Sequence, residues 1–232
     1  TVTDESANSS TCQATLTVND DTSPVAVCQN VTVNLSTPIL SAAAVDGGST
    51  DNCAVTSRLI DGAANKTFTC ADMPSTSVTL TVSDAAGNEN TCTATVTIVD
   101  DISPTAVCQN LTVNLSTPTV AASAIDGGST DNCAVTTMLI DGVPSKTFSC
   151  ADMPSKVVTL HVEDAEGNYD ECPATLTFVD NVPPVAVCKN VTVNLSAPTI
   201  AASAIDGGST DNCGITSRLI NGAASRTFTC AN

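Results

Sequence analysis

At 232 residues the chain has room for one large domain or two or three small ones, and no Trp, one Tyr and four Phe leave little aromatic area for a core. Twenty-four Asp and Glu face seven Lys and Arg, a net charge of −17 that disfavours nucleic acid and anionic membrane surfaces as partners. No apolar run approaches the roughly 20 residues of a membrane helix, so no membrane insertion is expected.

In chain order, Thr1–Asp20 matches Thr81–Asp100. The sequence therefore opens mid-pattern and reads as a slice of something longer, with 1–20 as the C-terminal strands of a preceding repeat. A complete repeat is expected over 21–100 and another over 101–180, with the N-terminal part of a further one over 181–232. Each begins with an acidic, Pro-bearing joint, "VDDTSP", "VDDISP" or "VDNVPP", that forbids helix. "VTVNLS" then alternates, with Val31, Val33 and Leu35 on one face. The loop "DGGSTDNC" covers Asp46–Cys53 and returns letter for letter at Asp126–Cys133 and Asp206–Cys213. Asp61-Gly62 and Met73-Pro74 are turn signals. "VTLTVSD" places Val78, Leu80 and Val82 on one face, Ala86-Gly87-Asn88 turns the chain, and "CTATVTIVD" places Cys92, Ala94, Val96 and Ile98 on one face. No segment holds a 3.6 period. The expected fold is all-β: tandem immunoglobulin-like antiparallel β-sandwiches of 80 residues, strung as a beaded rod.

Twelve cysteines supply what small aliphatic cores lack. Their steps of 25, 17, 22 and 16 recur and sum to the period of 80. No Cys-x-x-Cys occurs and His161 is the one histidine, so disulfides in an oxidising, extracellular compartment are expected rather than zinc. In an immunoglobulin-like layout the start of the first strand meets the last hairpin turn. That pairs Cys28–Cys92 and Cys53–Cys70, then Cys108–Cys172, Cys133–Cys150 and Cys213–Cys230, leaving Cys12 and Cys188 unpaired. The rival scheme, Cys28–Cys53 with Cys70–Cys92, leaves Cys12 and Cys230 over.

No catalytic residues emerge: His161 is alone and its counterpart is Thr81, which can do no acid–base work, so no enzyme is expected. The acidic loops are the candidate site. Asp20, Asp21, Asp46, Asp51 and Asp84 should gather at one end of a sandwich. Their repeats are Asp100, Asp101, Asp126, Asp131 and Asp164, then Asp180, Asp206 and Asp211. Clustered carboxylates suit calcium, which takes 6–8 oxygen ligands. The competing reading makes each Asp a turn cap, since Asp-Gly-Gly and Asp-x-x-Gly-Asn are turn sequences. No cofactor is required under either reading.

The run "D-x-x-P-x-A-x-C-x-N-V/L-T-V", then "DGGSTDNC", then "VTLTVSDAAGNENTCTATVTIVD" resembles the hyalin-type (HYR-like) repeats of bacterial surface proteins. It is most similar to the arrays in giant gliding-motility adhesins of Bacteroidota, the SprB-like filaments. The resemblance implies an immunoglobulin-like fold and display at the cell surface on an outer-membrane-attached filament. The expected function is that of a stalk segment extending an adhesin and transmitting force in adhesion or gliding motility. The alternative is a spacer array in a large secreted enzyme or glycan-binding protein. Expected partners are neighbouring repeats of the same chain, with surface glycans or a substratum met through regions outside this slice.

Overall fold

The structure, a computed structural model, describes residues 1–230; the last two positions of the segment 181–232 lie outside it. The chain divides into two compact units, Thr1–Asp101 and Ile102–Asn232.

The first unit opens with a small antiparallel hairpin of β1 (Val2–Thr3) and β2 (Ser9–Ser10), both exposed. The body follows as β3 (Val31–Asn34), β4 (Ile39–Ser41), a helical turn at Ala42–Val45, β5 (Ser57–Ile60), β6 (Asn65–Thr67), a 3-10 turn at Cys70–Asp72, β7 (Ser75–Ser83) and β8 (Glu89–Val99). One sheet has the order β3-β8-β7-β5, and β4 pairs with β6 in a second. The long hairpin β7–β8 forms where alternation is strongest. Val78, Leu80 and Val82 from β7 and Ala94, Val96 and Ile98 from β8 are all buried, joined by Val33, Leu35, Leu40, Val45, Ile60 and Phe68. Threonines and serines take the other face of each strand, as the two-residue period of a pleated strand requires.

The second unit repeats this order 80 positions on: β9 (Leu111–Asn114), β10 (Thr119–Ala121), β11 (Thr137–Ile140), β12 (Ser145–Thr147), β13 (Ser155–Glu163) and β14 (Tyr169–Val179). Its sheets are β9-β14-β13-β11 and β10-β12. Phe148 and Phe178, 5.2 Å apart between ring centroids, fill the centre. The unit continues into β15 (Thr199–Ala201) and β16 (Ser225–Thr227), an antiparallel pair. Residues 191–194, counterparts of β3, form no strand. β3 depends on β8 and β5 on β7, and those two central strands come last in each 80-residue block.

One pairing departs from an all-antiparallel sandwich. β3 runs parallel to β8, with Val31 opposite Val96 and Val33 opposite Ile98, and β9 runs parallel to β14. This register buries Val33 and Leu35, and the Asn30 side chain continues the ladder by accepting the Thr95 N–H at 2.9 Å.

The cysteines divide into two kinds. Cys28–Cys92 and Cys108–Cys172 each tie the segment before the first strand to the last hairpin, with Cα separations of 5.8 Å. Cys133–Cys150 and Cys213–Cys230 do not form, because Cys150 bonds Cys213 across a Cα separation of 5.3 Å. Cys53–Cys70 does not form either: Cys53 is a free thiol, while Cys70 and Cys133 are disulfide-bonded elsewhere. The reason is distance. The loop after Cys133 bonds the Glu163 end of β13 through Thr136, whereas Cys150 precedes the Ser155 end. Eight steps along β13 span roughly 26 Å, and a disulfide needs Cα atoms within about 7 Å. The rival scheme fails as well, since Cys28 takes Cys92.

Cys150–Cys213 thus crosses from the block 101–180 into the segment after it. Asn212 reinforces this junction by donating from Nδ2 to Asp180 Oδ1 at 3.1 Å, and Cys213 packs against the core of the block 101–180. Among the described residues the free cysteines are Cys12, Cys53, Cys188 and Cys230, all exposed.

Candidate metal centre

The loop Asp46–Cys53 owes its shape to two glycines used differently. Gly48 sits at φ +104°, a region that costs any side chain, while a Cβ on Gly47 would lie 3.1 Å from the Cys28 carbonyl carbon. Asp46 closes the turn from inside. Its Oδ1 accepts the N–H groups of Gly48 at 3.2 Å and Ser49 at 2.7 Å, and its Oδ2 accepts Arg58 Nε at 2.5 Å. Burial pushes its carboxyl up. The Ser49 hydroxyl and N–H and the Arg58 guanidinium outweigh that and hold it at about 2. Asp126 makes the same turn with Ser129, but Met138 stands where Arg58 would be. Asp206 regains an arginine, Arg218, at 2.5 Å, and its carboxyl is held well below the usual range by the Ser209 N–H first. These three aspartates are turn caps with their own partners.

Asp51 behaves differently. Its Oδ2 accepts the N–H groups of Cys53 at 2.9 Å and Ala54 at 3.0 Å. Its Oδ1 is buried without a hydrogen-bond partner, and the same holds for Asp131 and Asp211. The hairpin turn brings Asp84 to the same place. Asp84 is 6% exposed; its Oδ1 accepts from Ala86 and Asn88 N–H, and its Oδ2 from Asn88 Nδ2 at 2.7 Å. The Asn88 amide is the main cause that holds its carboxyl below the ordinary range. The joint contributes Asp20, whose Oδ1 accepts from Asn52 Nδ2 and the Thr22 N–H, both at 3.1 Å. The Asn52 bond is the first cause lowering its carboxyl too. Carboxylate oxygens of Asp20, Asp51 and Asp84 lie within 4.8 Å of one another.

Three carboxylates at that spacing repel, and one of their oxygens has neither water-facing surface nor donor. Hard oxygen donors with an orphaned lone pair fit a calcium-sized cation better than they fit a set of satisfied caps. Asp21, by contrast, is exposed in the joint and outside this group. Asp101 is spent on Ser36, accepting its N–H at 2.9 Å and its hydroxyl at 2.6 Å. Asp100, at 2% exposure, is buried at the end of β8. In the second unit, Asp131 and Asp164 make the same local bonds as Asp51 and Asp84, and Asp180 those of Asp20. Sequence reading grouped all thirteen aspartates; the coordinates bring Asp20, Asp51 and Asp84 together and leave Asp46, Asp126 and Asp206 as caps of their own turns.

His161 lies on β13 between Glu171, 3.1 Å from Nδ1, and Glu163, 3.3 Å from Nε2, and stacks on Tyr169. Burial lowers its affinity for protons, and the two carboxylates more than reverse that, so its pKa is raised.

No protein-family model and no curated protein sequence matches the chain. Among solved structures it is similar to extracellular cadherin domains 1–4 of protocadherin gamma B7 at 11% identity and a TM-score of 0.37, covering 77% of this chain and 57% of that one. Human protocadherin-24 EC1-2 aligns at 11% identity and a TM-score of 0.39, with 69% of this chain and all of that one covered. Against the gamma B4 and gamma B2 extracellular regions the chain spans 37% and 44% of their length.

Proposed function

We propose that the chain is a segment of the repetitive stalk of a large extracellular adhesin, a rod of sandwich blocks on an outer-membrane-attached filament that extends a binding tip and carries load. The observation that supports this reading is Cys150–Cys213, which ties successive 80-residue blocks together beside the peptide backbone. A spacer needs only a linker; a load-bearing element gains from a covalent strap that the oxidising exterior preserves. Calcium at Asp20, Asp51 and Asp84 would stiffen the entry to the first block, because Asp20 lies in the joint and the other two lie in the block's loops. Binding to surface glycans or a substratum belongs to other regions of such a protein.

Pulling single chains from both ends tests the load-bearing role. Oxidised chains should resist until the sandwiches rupture and then extend only as far as the overlapping bridges Cys108–Cys172 and Cys150–Cys213 allow. Reduction opens Cys28–Cys92 and Cys108–Cys172 along with Cys150–Cys213, so the new contour length should exceed the roughly 210 to 230 Å that one 63-residue separation spans at 3.3–3.6 Å per residue. Free extension of the oxidised chain at low force would rule the stalk role out.

A further inference from the structure

Two bridges of the second unit interlock. Cys150 lies inside the loop that Cys108–Cys172 closes, and Cys172 lies inside the loop that Cys150–Cys213 closes. From Cys108 to Cys213 the backbone runs 105 residues. Two covalent routes shorten this by using one bridge each. Crossing Cys108–Cys172 and continuing forward leaves 41 residues to Cys213, and following the backbone to Cys150 before crossing Cys150–Cys213 takes 42. The shortest route uses both bridges and runs against the chain. It crosses from Cys108 to Cys172, returns through 22 residues to Cys150, and crosses to Cys213.

The returning segment holds the 3-10 turn Cys150–Asp152, all of β13, and the first four residues of β14, Tyr169 to Cys172. β13 is an inner strand of its sheet, flanked by β11 and β14, and its Val158, Leu160 and Val162 are buried in the core. The tip of the hairpin closes on itself through four rungs, from Leu160 opposite Cys172 to Glu163 opposite Tyr169. A pull between Cys172 and Cys150 therefore meets the best-anchored element of the unit.

We infer that tension between Cys108 and Cys213 passes backward through residues 150–172, so that the β13 segment alone is drawn out while 109–149 and 173–212 stay slack. The physical reason is that a covalent network goes taut along its shortest route, and the longer routes then carry nothing. Either bridge alone would leave a forward route of about twice that length, so the limit on extension belongs to the pair. The route follows from the bridges whatever the chain carries, so it can fail while the stalk reading stands, and the reverse.

The test uses the full chain with its bridges formed and its free cysteines alkylated. Optical-tweezer handles are clicked to p-azidophenylalanine replacing Thr105 and Thr216, both exposed. The length read is the contour at high force, which does not depend on how well a variant folds, and peptide mapping without reduction checks the bridge each variant retains. Cys150→Ser/Cys213→Ser should free 19 further residues and Cys108→Ser/Cys172→Ser 20, each lengthening the chain by roughly 55–65 Å after the lost bridge is allowed for. Removing both bridges should free 83 residues, a gain of roughly 260–290 Å and more than twice the sum of the single changes. Additive gains would overturn the inference, as would a native chain that already reaches as far as either single-bridge variant.

Discussion

Changing Asp51 to Asn separates the cation reading from the cap reading by the sign of its effect. The substitution keeps an oxygen to accept the Cys53 and Ala54 N–H groups, removes one charge, and puts an NH2 donor in place of the orphaned Oδ1. Two like charges at the 4.8 Å limit of the cluster repel by about 0.9 kcal/mol at the dielectric of water and about 3.5 kcal/mol at an effective value of 20. Asp51 faces two such neighbours, so without a cation Asp51→Asn should stabilise the first block by about 1–2 kcal/mol once imperfect amide geometry is allowed for. With calcium at 100 times its dissociation constant the native protein gains about 2.7 kcal/mol that the variant largely forgoes, and the order reverses. Hydrogen exchange of the full chain, read over β7 and β8, reports this block separately from its repeats. The expectation is roughly 5- to 30-fold slower exchange for the variant in EDTA and faster exchange than native in millimolar calcium. If Asp51→Asn speeds exchange in EDTA and both proteins respond alike to calcium, the three carboxylates share no cation and Asp51 is only a cap.

Three other perturbations follow from the same geometry. Asp46 is depressed to about 2, so its contribution, roughly 2 kcal/mol for a nearly buried carboxylate, is present above its unfolded value and lost as pH falls through the folded one. Arg58→Met, the residue found at Met138, should move the Asp46 titration upward in carboxyl NMR and bring acid unfolding of the first block to higher pH. His161 has a raised pKa, so its pairing with Glu171 and Glu163 stabilises fully below the unfolded value near 6.5 and fades as pH rises through the folded one; Glu171→Gln should lower the imidazole pKa in a proton NMR titration. Gly47→Ala should cost about 1–3 kcal/mol by pressing its Cβ on the Cys28 carbonyl, seen as a lower melting temperature for the first unit and no change in the second.

The hairpin β7–β8 could be read from residue spacing because its alternation is long and uninterrupted, from Val78 to Ile98. The parallel pairing of β3 on β8 could not. Alternation says which side chains share a face and nothing about strand direction, and Val31, Val33 and Leu35 would point the same way in either sense. The cysteine spacing showed a regular framework, yet both pairings drawn from it closed within one block. The two bond types span 64 and 63 residues, and only the length of β13 shows that the second must leave the block. For the aspartates, the repeated loop told where acidic groups gather, but Asp46 and Asp51 differ in which backbone donors they meet, a matter of turn geometry.

The bridge between Cys150 and Cys213 spans the joint from Asp180 to Pro184, so two covalent routes cross that point. A single cut by a protease anywhere between residues 150 and 213 severs one route and leaves the other. The fragments should part only when a reductant is added, and a protein built this way tolerates nicks at every joint so bridged, failing only where proteolysis and reduction coincide.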